Sequence, residues 1–200
     1  MGSSTRYKES PSQTAGPYVH IGCTPNFVDV QGVYSADLGV GPNVDFYGNL
    51  RGADISGERI TITGKIYDGA GGLVTDAMVE TWQTDAQGQY PAADAAFSGW
   101  ARQACDLTTG VFTFQTIKPG CIVTSIGRQS PHVSVWLVAR GINLGLHTRI
   151  YFADEDNRAD PVLALIEPSR RQTLIASQQG GAYVFNVRLQ GENETVFFDL

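Results

Sequence analysis

No apolar run in the sequence approaches the roughly 20 residues that a membrane-spanning helix requires, so no membrane is expected as a partner. The first dozen residues are polar and lack the apolar core of a secretory signal peptide. Arg6 stands where a myristoylation motif requires Ser or Thr. Cysteine is scarce: Cys23, Cys105 and Cys121 are odd in number and widely spaced, with no C-x-x-C, which excludes a disulfide framework and a zinc knuckle. These absences set the expected address in the reducing cytoplasm. Positive charge is also short. A net charge of −6 argues against nucleic acid, whose partners carry basic patches. The catalytic signatures G-x-S-x-G, P-loop and H-E-x-x-H are missing. Gly69-Ala70-Gly71 opens a hairpin rather than a helix, so it is no dinucleotide fingerprint. The acidic run Asp154-Glu155-Asp156 lacks the spacing of a calcium loop and reads as a solvated loop.

What is present is strand. The chain is punctuated by 23 Gly and 9 Pro, with alternating segments between them. From Arg59 to Tyr67, Ile60, Ile62 and Ile66 share one face while Thr61, Thr63 and Lys65 share the other. Asp68 to Gly72 makes a turn, and a second strand runs from Ala77 to Thr84. Val111 to Ile117 places Phe112 and Phe114 on one side and stops at Lys118-Pro119-Gly120. His132 to Ala139 separates Val133, Val135 and Leu137 from His132, Ser134 and Trp136. Further strands are expected over His147–Phe152, Tyr183–Leu189 and Thr195–Leu200. Short helices are expected at Pro161–Glu167, with Pro in the first turn, and near Arg170. The expectation is an all-β fold, an antiparallel β-sandwich with one or two short helices. It spans residues 1–200 as a single domain, with an irregular N-terminal arm over 1–57.

The metal-binding side chains form an incomplete set. His132 opens a strand, and its neighbour on the same face two residues on is Ser134. An H-x-H pair there would supply two ligands to one side, but Ser is a poor ligand for most transition metals. Tyr90 and His132 alone are too few to hold iron or zinc. His147 and Tyr151 are candidates to complete the set, although nothing in their spacing demands it. As single residues, Tyr90 reads first as a packed aromatic and His132 as a hydrogen-bonded histidine, ahead of a metal role.

The stretch Ile62-x-Gly64-x-Ile66, followed by Gly71, Val74, Val79-Glu80 and Gly88-x-Tyr90, resembles the signature of the intradiol ring-cleavage dioxygenases. Thr81 departs from it, standing where an apolar residue is usual. Three further segments, Pro11 to Gly22, Ala139 to Asn143 and Gln190 to Asp199, are similar to the iron-free chain of a two-chain member of that family. The resemblance implies a β-sandwich and a ferric ion held by two Tyr and two His in the iron-bearing chain. Tyr90 matches the first Tyr and His132 the first His. Ile122 stands in place of the second Tyr and Ser134 in place of the second His, so Tyr90 and His132 are vestigial. Gln129 replaces an Arg expected three residues before the His, and Arg128 lies one residue earlier.

The resemblance further implies a beta chain homologue that binds the Fe(III), in a higher-order hetero-oligomer. Thr14, Gly16, Pro17 and Tyr18 of this chain would line the shared pocket on a partner-facing arm, with Arg140 near the bound aromatic acid. The implied substrates are protocatechuate and O2, and the product is 3-carboxy-cis,cis-muconate. A guanidinium suits the substrate carboxylate because it offers two parallel hydrogen bonds. Two other readings stand beside this one. The first is a self-sufficient dioxygenase with ligands from His147 or Tyr151. The second is a non-catalytic β-sandwich that keeps only the family fold.

Overall fold

The computed structural model describes residues 13–19, 23, 55–92, 97–199 of the chain. Most of the arm over 1–57 therefore lies outside the described residues. Eleven strands are formed: β1 (Arg59–Tyr67), β2 (Met78–Trp82), β3 (Trp100–Ala104), β4 (Val111–Ile117), β5 (Ile122–Thr124), β6 (Gly127–Gln129), β7 (His132–Val138), β8 (Leu146–Phe152), β9 (Ile175–Gln179), β10 (Ala182–Val184) and β11 (Val187–Arg188). Two short helices, α1 (Pro161–Ala164) and α2 (Pro168–Arg171), precede β9. No helix among the described residues is long and apolar enough to cross a membrane.

The fold is all-β, but the sheet is mixed rather than antiparallel throughout. Nine strands form one curled sheet, and β5 and β6 form a separate hairpin. β1 pairs antiparallel with β4 from Arg59 to Lys65, yet parallel with β10 and β11. β8 also pairs parallel with β9. Segment 183–189, expected as one strand, runs along β1 in two pieces. Between them Phe185 N donates to Thr63 O, and the Asn186 side chain accepts from Lys65 N where the main chain swings away. Gly64 faces this break. A Cβ there would lie 1.8 Å from Phe185 O, so the close approach requires glycine. The strand expected over 195–200 is reduced to one bridge between Phe198 and His147. The helix expected at Pro161–Glu167 ends at Ala164, capped at its start by Asp160.

Alternation determines the core. Ile62, Ile66, Phe112, Phe114, Val133, Leu137, Ile150 and Phe152 point inward and are almost fully buried. β3 and β4 are joined by the Asp106–Gly110 turn and lie in contact, so the sheet curls towards closure. Buried glutamines stitch that seam. Gln103 Oε1 on β3 accepts from Thr113 N on β4. Gln83 Nε2 donates to Ile117 O at 2.8 Å, and its Oε1 accepts from Thr116 Oγ1 at 2.8 Å. A leucine at this position makes none of these bonds, and each one lost in the interior costs about 1–3 kcal/mol. Gln83→Leu is therefore expected to lower the unfolding free energy by about 2–4 kcal/mol in urea titration; a loss below about 0.5 kcal/mol would contradict the stitching role.

Candidate functional site

The outward face of β3, β2, β7 and β8 carries the polar and aromatic side chains that the core excludes. Register places Trp100 opposite Trp82, Arg102 and Trp136 opposite Glu80, and Ser134 opposite Trp82. On the far side, His132 faces Tyr151, Ser134 faces Arg149 and Trp136 faces His147. All three tryptophans of the chain therefore share this face. Glu80 organises its outer end: Oε1 accepts from the indoles of Trp82 and Trp100, while Oε2 accepts from Arg102 at 2.8 Å. A slot of about 320 Å3 lies over Trp82, Ser134, Trp136 and His147.

The inner end of this face holds His132 and Ser134, two of the positions expected to bind iron. His132 is buried, and its Nδ1 bonds Ser130 O at 2.8 Å. That contact places the proton on Nδ1 and leaves Nε2 bare, the tautomer a metal ligand needs. The rest of the set has gone. Ile122 supplies no oxygen, Ser134 no imidazole, and Tyr90 leaves the Asp85–Gln89 turn with 63% of its surface exposed. Nor do the other two candidates complete it. Tyr151 stacks beside His132 at 5.5 Å, but its hydroxyl donates to Asp160 and accepts from Arg149. Burial pushes the Tyr151 phenol up to about 12, in keeping with a protonated hydroxyl that donates to Asp160. His147 sits opposite Trp136, four residues along β7 from His132. No cluster of three His, Cys, Asp or Glu among the described residues is arranged to hold a metal.

A guanidinium stands at this centre. Arg149 Nη1 donates to Gln129 Oε1 at 2.8 Å, and its plane lies over the Phe198 ring at 5.8 Å. Gln129 is where the resemblance expects an Arg, so the positive group reaches the same locus from the neighbouring strand instead. Arg128 does not compensate; it turns to Cys121 Sγ at 3.3 Å. Burial, and then the Arg149 charge, lower the His132 pKa to about 4. A cationic neighbour and two surviving donors do not fit a ferric ion, which favours a set of hard, anionic oxygens. Sequence reasoning missed Arg149 because only the register between β7 and β8 brings it to Ser134.

Arg140 lies elsewhere. It follows the opposite end of β7 from His132, roughly 25 Å away at strand rise, and is followed by a left-handed turn at Gly141. Its Nε approaches Asp76 Oδ2 to 2.9 Å. With Leu73, Ile142 and Leu144 the pair borders a cavity of about 610 Å3. Thr14, Gly16, Pro17 and Tyr18 are exposed, Tyr18 at 74%. Within that segment the Thr14 hydroxyl bonds its neighbour Ala15 O at 3.2 Å, and Val19 N donates to Gly16 O. The acidic run is held by cations: Lys118 meets Asp154 and Glu155 at 2.7 Å each, and Arg158 meets Asp156 at 2.8 Å.

Comparison with known proteins agrees with this geometry. A family model described as dioxygenase matches residues 43–191. The chain is 45% identical over 202 residues to the protocatechuate 3,4-dioxygenase alpha chain of Pseudomonas putida, covering 96% of each. It is 30% identical over 159 residues to the protocatechuate 3,4-dioxygenase beta chain of Burkholderia cepacia, covering 70% of this chain and 67% of that one. Among solved structures, catechol 1,2 dioxygenase of Acinetobacter radioresistens aligns with a TM-score of 0.58 at 17% identity, over 73% of this chain and 57% of that one. That last likeness is one of fold.

A depressed histidine pKa has a consequence for stability. The unfolded chain takes up a proton on His132 near pH 6.5, whereas the folded chain resists until about 4. The contribution of neutral His132 is thus complete above pH 6.5 and is lost as pH falls towards 4, by up to roughly 3 kcal/mol. His132→Gln is expected to flatten the stability–pH curve across that window. A slope unchanged from the parent chain would contradict the assignment.

Proposed function

The chain belongs to the intradiol dioxygenase family, and we propose that within it this chain is the iron-free alpha subunit of a heteromeric protocatechuate 3,4-dioxygenase. The observation that carries this reading is the guanidinium of Arg149 at the centre where the family holds iron. A chain so altered contributes to ring cleavage by shaping a site whose ferric ion sits on a homologous beta chain. The overall reaction consumes O2 and opens protocatechuate between its hydroxyl-bearing carbons to 3-carboxy-cis,cis-muconate. The ring-opening chemistry belongs to the partner. This chain binds, orients and excludes water.

Arg140 fits the substrate-binding part of that role. It lies far from the chain's own emptied centre, two thirds of its side chain is exposed, and it borders the 610 Å3 cavity. Thr14, Gly16, Pro17 and Tyr18 supply an exposed stretch suited to wall a partner's pocket, with Tyr18 offering a flat face and a hydroxyl. We read residues 1–200 as one domain with its arm over 1–57 turned to the partner. Exposed apolar side chains support an interface: Leu73 and Leu144 beside Arg140, and Tyr90, Val123 and Ile126 around the β5–β6 hairpin. Unpaired Cys23, Cys105 and Cys121 suit a cytoplasmic address.

Coexpression with a beta chain homologue that carries both Tyr and H-x-H tests the proposal. The expected result is a stable complex with iron on the partner, and no stoichiometric iron or tyrosinate colour in this chain purified alone. Ring cleavage by the isolated chain would overturn it. In the complex, Arg140→Ala should raise KM for protocatechuate by about 10-fold, the worth of a charge-assisted hydrogen bond of about 1.5 kcal/mol. An unchanged KM would remove Arg140 from substrate binding.

A further inference from the structure

Arg140 and Asp76 are unequal partners. The Arg140 side chain is 67% exposed, whereas that of Asp76 is 10% exposed. Asp76 Oδ2 is fully enclosed and accepts no aligned hydrogen bond, so the 2.9 Å approach of Arg140 Nε is a contact of charge rather than a directed N–H···O bond. The nearby Cys105 thiol is no counter-charge: burial, and then Asp76 and Asp106, push its pKa up to about 12. Arg140 is the one cation in an ion pair with Asp76 among the described residues. Only Nε is engaged. Neither Nη atom has a partner among the described residues, and the guanidinium lies at the border of the 610 Å3 cavity.

We propose that Asp76 is a positioning residue whose buried charge draws the Nε side of Arg140 towards it and leaves the Nη pair free to meet the carboxylate of the aromatic substrate. The proposal rests on the reading of Arg140 as a substrate-binding group. A carboxylate is best met by a fork of two parallel N–H groups. An exposed arginine on a mobile stem loses rotamer freedom when it forms that fork. A buried carboxylate behind the guanidinium removes part of that loss in advance, which is the effect of preorganisation. Asp76 also carries a negative charge that opposes a substrate carboxylate. That charge is already paired with Arg140, which offsets its field at the substrate.

The test uses the assembled complex with its beta chain, titrated calorimetrically without oxygen against protocatechuate and against catechol, which lacks the carboxylate. Asp76→Asn is expected to weaken protocatechuate binding about 2- to 10-fold, the worth of one immobilised side chain, with catechol binding unchanged. Asp76→Glu should restore part of the loss. Combined with Arg140→Ala, Asp76→Asn should add nothing further, because its effect passes through Arg140. Should Arg140→Ala weaken binding while Asp76→Asn does not, or should the two losses add, the positioning role is overturned and the reading of Arg140 stands. Equal losses for both ligands would mark Asp76 as structural and overturn the proposal. No change on Arg140→Ala would overturn both. Steady-state kinetics give a second readout: KM rises and kcat holds for Asp76→Asn if the role is positional.

Discussion

The architecture around the emptied centre hangs on one buried carboxylate, Asp160. Its Oδ1 accepts from Val162 N and Leu163 N at 2.9 Å, which starts α1, and from the Tyr151 hydroxyl at 3.3 Å. Its Oδ2 accepts from Ser130 N at 2.8 Å. Ser130 O in turn holds the His132 ring. One anion thus joins a helix start, β8 and the entry to β7. A buried carboxylate is tolerated only when its lone pairs are filled, and here four donors fill them. Burial, and then the nearby Arg149 charge, keep His132 neutral, and Gln129 and Tyr151 orient the guanidinium.

A sheet with one buried face divides its labour by residue parity. Inward positions of β7 are Val133, Val135 and Leu137, and they make the core. Outward positions are His132, Ser134 and Trp136, of which Ser134 and Trp136 are only partly buried. A serine at 134 therefore leaves the core untouched. A cavity at the inner face would have cost stability, whereas an outer-face change needed only a new set of polar partners. Arg149 and Gln129 provide them. Arg140, at the far end of the same strand, is independent of that change.

Much of this was legible in the sequence, for local reasons. Strands β1, β4, β7 and β8 announce themselves through alternating β-branched and aromatic residues. β3 does not, because Trp100-Ala101-Arg102-Gln103-Ala104 has small and polar residues at its inward positions, and the polar β9 resembles a loop. The parallel pairing of β10 with β1 joins segments over 110 residues apart in the chain, and no local pattern encodes it. The site divides the same way. Tyr90, His132, Ile122 and Ser134 were singled out by the family resemblance, which is carried by motifs along the chain. Arg149 and Asp76 act across strands and turns, so their roles emerged only with the register and the ion pair. Little of the arm over 1–57 lies within the described residues, and its proposed role continues to rest on resemblance and exposure.

The seam between β3 and β4 bears on how such a chain selects its company. Each strand has a free edge, and a free edge is a template on which any extended segment can add. Gln103 spends its side-chain carbonyl on Thr113 N, and Gln83 covers Ile117 O, so one amide and one carbonyl that an incoming strand could engage are already taken. For a subunit whose apolar surface must wait for one particular companion, this occupied edge discourages stacking with copies of itself during the interval before assembly.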